Sequence, residues 1–503
     1  MTSPPRALQA ADEGQIELEA IVAALSARYV VAAGVRQRIR RVQVDTFDRR
    51  LRAAGLTLEH QSTASGERLV LGRPDGSSAA AVPVADLRWP APADLLPGPV
   101  RDVVAAVSGI RALMVASDER RRVRQLELLN EDGKTVARVE LDEPASEAGA
   151  PARLTVRTLR GYEEQAQRAV RILAGLGLRP VESTDDREPS PSKPTAGTDR
   201  ESPASVLLTR ALSDFLATMR ANLPGLLDDV DTEFLHDFRV SVRRTRATLK
   251  LGRHCLPEAM RTRWEPDFKW LGDLTTPVRD LDVYELDLPT MRSWLVAADP
   301  ADLEPLATHL RSRRTVERRA LVRGLRSARY RRLVTEWQDE LDGLTDTQEE
   351  ADREHLSSGR LADRGIAKAY RRVARGGAAI TGDSPAGDLH MLRKRCKELR
   401  YALEVCAPVL AKGPRNRAVA DLKGLQDVLG RFQDSEVQRQ ALRGFAEEMM
   451  ADGTSARAVL AMGELIGHLD AEQDRARREF DGAFALFARP SSQQLMHRLG
   501  GGR

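Results

Sequence analysis

The chain has 503 residues, 42% of them hydrophobic and 30% charged, with 78 basic against 74 acidic side chains and a net charge of +4. That length admits two or three domains with real cores, and the near balance of charge excludes a globally basic protein. A polyanion site, if there is one, must therefore come from local segregation of charge.

Met1 to Gln15 has no apolar run and reads as a flexible lead-in, not a signal peptide. No stretch approaches the roughly 20 apolar residues needed to span a bilayer, so no membrane partner is expected. Three cysteines (Cys255, Cys396 and Cys406) do not make a disulfide framework, and a reduced, cytoplasmic protein is expected.

Residues 1–182 have a mixed texture. Ala137, Val139 and Leu141 alternate with Arg138, Glu140 and Asp142, the period-2 pattern of a half-buried strand, and Asn130 to Lys134 just before them reads as a hairpin turn. Leu154 to Leu159 reads as another strand and Gln165 to Leu176 as a closing helix, which together predict an α+β domain. Residues 183–203, with Pro189, Pro191, Pro194 and Pro203 among polar residues, read as an extended linker.

From residue 204 to 503 helical signals dominate. Leu235 to Val283 matches Leu389 to Val437 at a constant offset of 154 residues, without a gap. Identical pairs include His236/His390, Arg239/Arg393, Arg246/Arg400, Asp273/Asp427 and Asp280/Asp434, and Arg243 pairs with Lys397. Duplication of a helical half is the simplest account. The offset is too long for a solenoid, so each half is expected to form its own bundle.

Leu235, Phe238, Val242, Thr245 and Leu249 recur at steps of three and four and predict a core stripe. One residue further on, His236, Arg239, Arg243, Arg246 and Lys250 form a basic stripe, and His390, Arg393, Lys397 and Arg400 repeat it in the copy. A one-residue step is about 100° around a helix, so each basic stripe sits beside the buried one, at the mouth of a groove between helices. A charge run on a helix is usually a solvated face. Here the spacing recurs in both copies, and few acids (Asp237, Glu398 and Glu404) lie near enough to neutralise it. Like charges at this spacing repel by a few tenths of a kcal/mol per pair, which a bound polyanion would remove.

Between His309 and Leu333 ten arginines stand against the single acid Glu317. This run is nonspecific taken alone and could snorkel over the bundle. Asp280 and Asp282, with Asp434 and Glu436 in the copy, could suggest a metal site, but capping a helix or orienting arginines is the preferred reading. No metal, other cofactor or catalytic residue is assigned.

At these residues the region resembles the CHAD family, the conserved-histidine α-helical domains. The resemblance rests on Leu235-His236-Asp237-Phe238-Arg239 with Arg243-Arg244-x-Arg246, on Leu389-His390-Met391-Leu392-Arg393-Lys394-Arg395 with Lys397-Glu398-Leu399-Arg400-Tyr401, and on the joint from Leu271 to Val283 with its copy. It implies an all-α domain of two pseudo-symmetric four-helix bundles that binds inorganic polyphosphate in a basic groove and associates with polyphosphate granules. Its binding residues would be His236, Arg239, Arg243, Arg244, Arg246, Lys250, His390, Arg393, Lys394, Lys397, Arg400 and Tyr401. If the histidines are partly protonated near neutral pH, affinity should rise as pH falls from about 8 to about 6.

The N-terminal region resembles a CYTH (triphosphate tunnel) domain at Asp45-Thr46-Phe47-Asp48 through Leu56, at Gly133 to Asp142 and at Leu159 to Glu163. The resemblance implies an α+β domain with a β-barrel or tunnel. Active members carry an E-x-E-x-K strand, whereas here Glu17-Leu18-Glu19 is followed by Ala20 and Ile21. Leu58-Glu59-His60-Gln61 stands where arginines are usual, and Arg153 to Arg157 lacks paired glutamates. Without facing carboxylates to hold a divalent ion, metal-assisted attack on a triphosphate has no machinery, and a degenerate binding or positioning module is expected. Two rival functions remain: a metal-dependent triphosphatase or polyphosphatase, and a nonspecific nucleic-acid binder. The aromatic content of only 4% argues against the second, because single-strand binding relies on base stacking.

Overall fold

The computed structural model describes residues 6–10, 17–73, 78–145, 152–180, 199–347 and 356–501. The chain divides into two compact units, Met1–Lys193 and Pro194–Arg503.

Among the described residues the first unit is one antiparallel sheet with four α-helices. Its strands are β1 (Arg6–Ala10), β2 (Val30–Ala33), β3 (Gln37–Thr46), β4 (Thr57–Thr63), β5 (Gly66–Gly72), β6 (Ser78–Val84), β7 (Leu113–Leu129), β8 (Thr135–Pro144), β9 (Arg153–Thr158) and β10 (Leu178–Pro180). Its helices are α1 (Leu18–Ser26), α2 (Arg50–Ala53), α3 (Gly98–Ser108) and α4 (Glu163–Ala174). The strand order is β10-β1-β9-β8-β7-β3-β4-β5-β6, with β2 also on β7.

This order corrects the expected barrel or tunnel. The end strands β10 and β6 each pair on one side only, so the sheet is open. β6 carries an exposed Pro83, which has no N–H to offer a further strand, and β10 has only three residues. The apolar surface is covered by helices instead. Leu126, Leu128, Val139 and Leu141 pack under α1 and α4, and Val42, Val44, Leu58 and Leu69 pack with Val100 and Val104 of α3.

Two local readings also change. Glu17 to Ile21 stand at the start of α1, not on a strand, and β1 carries no carboxylate. Asp45 accepts hydrogen bonds from the backbone N–H groups of Leu51 and Arg52, so the Asp-Thr-Phe-Asp motif shapes the entry to α2.

Among the described residues each half of the second unit has five α-helices, not four. The first half holds α5 (Ala204–Asp228), α6 (Thr232–Leu251), α7 (Glu258–Trp294), α8 (Glu304–Leu325) and α9 (Ala328–Thr347). The second holds α10 (Ser358–Ala378), α11 (Ala386–Val405), α12 (Lys412–Ala451), α13 (Ala456–Phe487) and α14 (Pro490–Leu499). The starts of α5, α6 and α7 recur 154 residues later at α10, α11 and α12.

The halves meet about a local twofold. Ala204 N donates to Leu356 O at 2.9 Å and Ser358 N to Ser202 O at 2.7 Å, reciprocal bonds between repeat-equivalent positions. The far ends of the long helices share a core, with Leu281, Tyr284 and Met291 of α7 packed with Leu442, Phe445 and Leu465 of α12 and α13. The halves are therefore not independent bundles. No described helix is long and apolar enough to cross a membrane.

Candidate polyanion cleft

The basic stripes lie on α6 and α11. Asp231 opens α6, its carboxylate accepting from the N–H groups of Glu233 and Phe234. Phe234, Leu235, Phe238, Val242 and Leu249 are buried, as are Leu389, Leu392, Cys396, Leu399 and Leu403 on α11. With those stripes turned inward, the neighbouring cations face the space between the two helices.

That space is a cleft of about 480 Å³ lined by His236, Asp237, Val240, Arg243, Arg244, Arg393, Lys397, Arg400, Tyr401, Glu404 and Gln426. The repeat-equivalents Arg243 and Lys397 both line it, and neither has an ion pair among the described residues. The Arg243 guanidinium lies over the Tyr401 ring, 5.7 Å from its centroid. Burial, with Arg393 and Arg243 close by, pushes the Lys397 ammonium down to about 8. Burial likewise lowers His236 below the ordinary imidazole range, with Arg279 adding to the effect.

The other assigned residues divide by partner. Arg244 pairs with Glu404 at 2.9 Å and still lines the cleft, and Arg400 donates to the same Glu404 at 2.8 Å. Arg393 pairs with Asp434 at 3.0 Å. Arg239, lowered by burial, donates to Gly272 O, Thr275 Oγ1 and Thr276 Oγ1 and lies outside the cleft lining. His390 shares a 2.6 Å hydrogen bond with Gln433. Lys250 pairs with Glu398 at 2.5 Å and lines a separate groove. Arg246 and Lys394 are exposed outside the cleft lining. The structure thus gathers Arg243, Arg244, Arg393, Lys397, Arg400, Tyr401 and His236 at one place and leaves Arg239, Arg246, Lys250, His390 and Lys394 apart. Gln426 and Val240 carried no sequence signal of their own.

The dense arginine run turns largely structural. Arg314 pairs with Asp229 and with the fully buried Asp282, Arg318 caps the end of α5 at Leu226 O and Leu227 O, and Arg313 pairs with Glu448. Asp280, Asp282, Asp434 and Glu436 all sit inside long helices, so none is a cap. Asp282, Asp434 and Glu436 instead hold Arg314, Arg393 and Arg439. In the first unit, the face of the sheet turned away from the helices (the inner face, the helix-bearing side being the outer one) is also ion-paired. Arg41 meets Asp142 and Glu140, and Arg121 meets Asp142 at 2.8 Å.

The family model described as the CHAD domain matches residues 210–443. The crystal structure of the CHAD domain from the plant Ricinus communis is similar at 24% identity and a TM-score of 0.49, over 60% of this chain and 98% of that one. PptA from Streptomyces chartreusis is similar at 19% identity and a TM-score of 0.44, over 56% of this chain and 99% of that one. The PH1819 protein from Pyrococcus horikoshii OT3 follows at 11% identity and a TM-score of 0.22, over 36% and 94%. No match was found among curated proteins.

Proposed function

We propose that the second unit, whose residues 210–443 match the family model of the CHAD domain, binds inorganic polyphosphate in the cleft between α6 and α11. The observation that carries this is the pair of repeat-equivalent cations, Arg243 and Lys397, facing one cleft with no carboxylate ion pair among the described residues. Arg393, Arg400 and Arg244 surround them, and the acids lining the same cleft are Asp237 and Glu404. Such a surplus favours a ligand that supplies charge at short intervals. Guanidinium forks suit phosphate oxygens in particular.

A base-free chain fits better than a nucleic acid. Tyr401 is the one Phe, Tyr or Trp side chain in the cleft lining, and its ring already lies under Arg243. A row of aromatic platforms of the kind on which successive bases stack is not part of this lining. The proposal is of a binding protein, working in the cytoplasm at polyphosphate granules. The first unit is read as a degenerate CYTH relative that binds or positions, a reading supported by the carboxylate partners already held by Arg41 and Arg121.

The test is calorimetric titration of the full chain with medium-chain polyphosphate at several salt concentrations, beside a variant carrying Arg243→Ala, Arg393→Ala, Lys397→Ala and Arg400→Ala. Loss of up to four phosphate contacts should make the salt slope shallower by roughly three and weaken binding sharply. A folded variant with wild-type affinity and slope sinks the cleft reading.

A further inference from the structure

We propose that the outer face of the sheet in the first unit is a second polyphosphate-binding surface, formed by Arg36, Arg38, Arg40, Arg120, Arg122 and Arg124. It rests on the polyphosphate reading for the identity of the ligand and on none of the cleft residues.

The argument starts from register. β3 and β7 run antiparallel with Arg38 opposite Arg122 and Arg40 opposite Arg120. Residues directly opposite share one face, with Cβ atoms about 5 Å apart, and like charges placed so are destabilising. The two arginine pairs follow one another at successive same-face positions, about 7 Å apart along the strand. Arg36, just before β3, and Arg124, two residues beyond Arg122, extend the row on that face. Across β7 and β8, Glu143 stands opposite Arg122, so in this row the like-charge pairing is confined to β3 and β7. Stacked arginine pairs are a cost that an anion would offset.

Few carboxylates answer them. Asp118 takes Arg40 through two hydrogen bonds of 2.9 and 2.6 Å, and Glu143 takes Arg36 at 2.9 Å. Arg122 donates to the carbonyl of Ala145 at 2.7 Å. The side chains of Arg38, Arg120 and Arg124 have no hydrogen bond or ion pair among the described residues, and Arg38, Arg40 and Arg120 are exposed. The row runs between the two apolar clusters that the helices cover, so the surface stays open where the charge is densest.

The form of the patch selects the ligand. A straight double row of guanidinium groups matches an extended chain of phosphates and offers no enclosed pocket for a compact anion. No residue in 36–42 or 117–125 is aromatic, so nothing there would hold a base by stacking. The opposite face of these strands carries Arg41 and Arg121, each already bound to a carboxylate, so the outer face and not the inner one holds the uncompensated charge.

The experiment uses the full chain with Arg38→Gln, Arg120→Gln, Arg122→Gln and Arg124→Gln, made both in the wild type and in the quadruple cleft variant. The probes are medium-chain polyphosphate and a single-stranded DNA oligonucleotide, each titrated at several salt concentrations. With the cleft disabled, the remaining polyphosphate affinity should fall at least about tenfold and the salt slope should flatten by roughly three when the patch is also changed. A second variant with lysine at the same four positions keeps the charge and should retain most of the affinity, which separates loss of charge from loss of fold. Polyphosphate binding that is unchanged by the glutamine substitutions in both backgrounds overturns the proposal. Loss confined to DNA overturns it in favour of a nucleic-acid surface. The cleft reading fails separately, if the cleft substitutions alone change nothing.

Discussion

The two halves of the helical unit carry the same basic stripe but use it differently. Arg239 in the first half is tied to Gly272 O and to the hydroxyls of Thr275 and Thr276 on α7. Its equivalent, Arg393, has Gln426, Leu429 and Gly430 at the corresponding positions, finds no hydroxyls there, and pairs with Asp434 at the edge of the cleft. His236 has Arg279 beside it, whereas His390 has Gln433. The ion pairs that join α6 to α11 are reciprocal with inverted sign. Arg244 meets Glu404, while at the equivalent positions Glu398 meets Lys250. Duplication gave two equal frames. Divergence has left the repeat-equivalent cations Arg243 and Lys397 facing one cleft, while Arg239 and Lys250 are tied to partners outside it.

The largest difference between the halves should appear in stability. Arg314 bridges Asp229 and Asp282, and Asp282 is fully buried, with one carboxylate oxygen lacking any hydrogen-bond partner. The partner carboxylates hold the Arg314 guanidinium well above its ordinary range. Arg314→Ala would leave a buried charge alone and should cost about 3–5 kcal/mol in denaturant unfolding of the helical unit. In the copy, Glu436 is partly exposed and keeps a hydrogen bond from Gln473, so Arg439→Ala should cost only about 1 kcal/mol. Equal losses would mean that the two halves share their load and would break the contrast.

How much of this was legible depends on how far apart in the chain the partners lie. The repeat was readable because a core stripe constrains residue types at fixed spacing, and the starts of α6, α7, α11 and α12 follow it. The basic stripe was readable for the same reason, since Arg243 and Lys397 stand one step from buried residues. What each cation pairs with was not. Arg314, Arg313 and Arg329 find Asp229, Glu448 and Asp267 across 85, 135 and 62 residues of chain, and nothing local in the run from His309 to Leu333 announces them. The open sheet was missed because closure depends on which end strands meet, and strand patterning does not encode that. The outer arginine rows escaped notice because 36–41 and 119–124 read as two ordinary charge runs until register sets them opposite one another.

The next largest effect is in pH dependence, and it separates Lys397 from Arg243. In the free protein Lys397 loses its proton near pH 8, below its unfolded value of about 10.4. Between those values the unfolded chain binds more protons, so the stability of the free protein should rise with pH across that window. Affinity for polyphosphate should move the opposite way and fall by about fivefold to tenfold, because a phosphate contact loses its charge. Lys397→Arg, which copies the first half, should flatten the affinity profile. A wild-type profile that is flat from pH 7 to 10 would remove Lys397 from the site.

A smaller effect follows from the different anchors of Arg239 and Arg393. Asp434→Asn frees Arg393 at the cleft edge and should strengthen polyphosphate binding by up to about fivefold, the scale of an exposed ion pair. Asp280→Asn at the equivalent position should change affinity little, because Arg239 is held by neutral groups. If both substitutions strengthen binding equally, the halves contribute alike and the asymmetry is not functional.

The smallest effect concerns the histidines. Burial and Arg279 keep His236 below its ordinary value, so the free protein resists protonation there, and its stability should decline as pH falls through about 6.5, where the unfolded chain gains the proton. A bound phosphate chain favours the imidazolium, so polyphosphate should be taken up with a proton and bind about twofold to threefold more tightly as pH drops below that value. Arg279→Gln installs at the first half the residue that the second half has at 433. It removes a cation from beside His236 and should raise the His236 titration midpoint, measured by NMR of the imidazole carbons. The gain in affinity should then begin at a higher pH, while His236→Gln should abolish the low-pH gain altogether. A midpoint indifferent to Arg279→Gln would leave burial alone as the cause and make the difference between Arg279 and Gln433 irrelevant to the histidine.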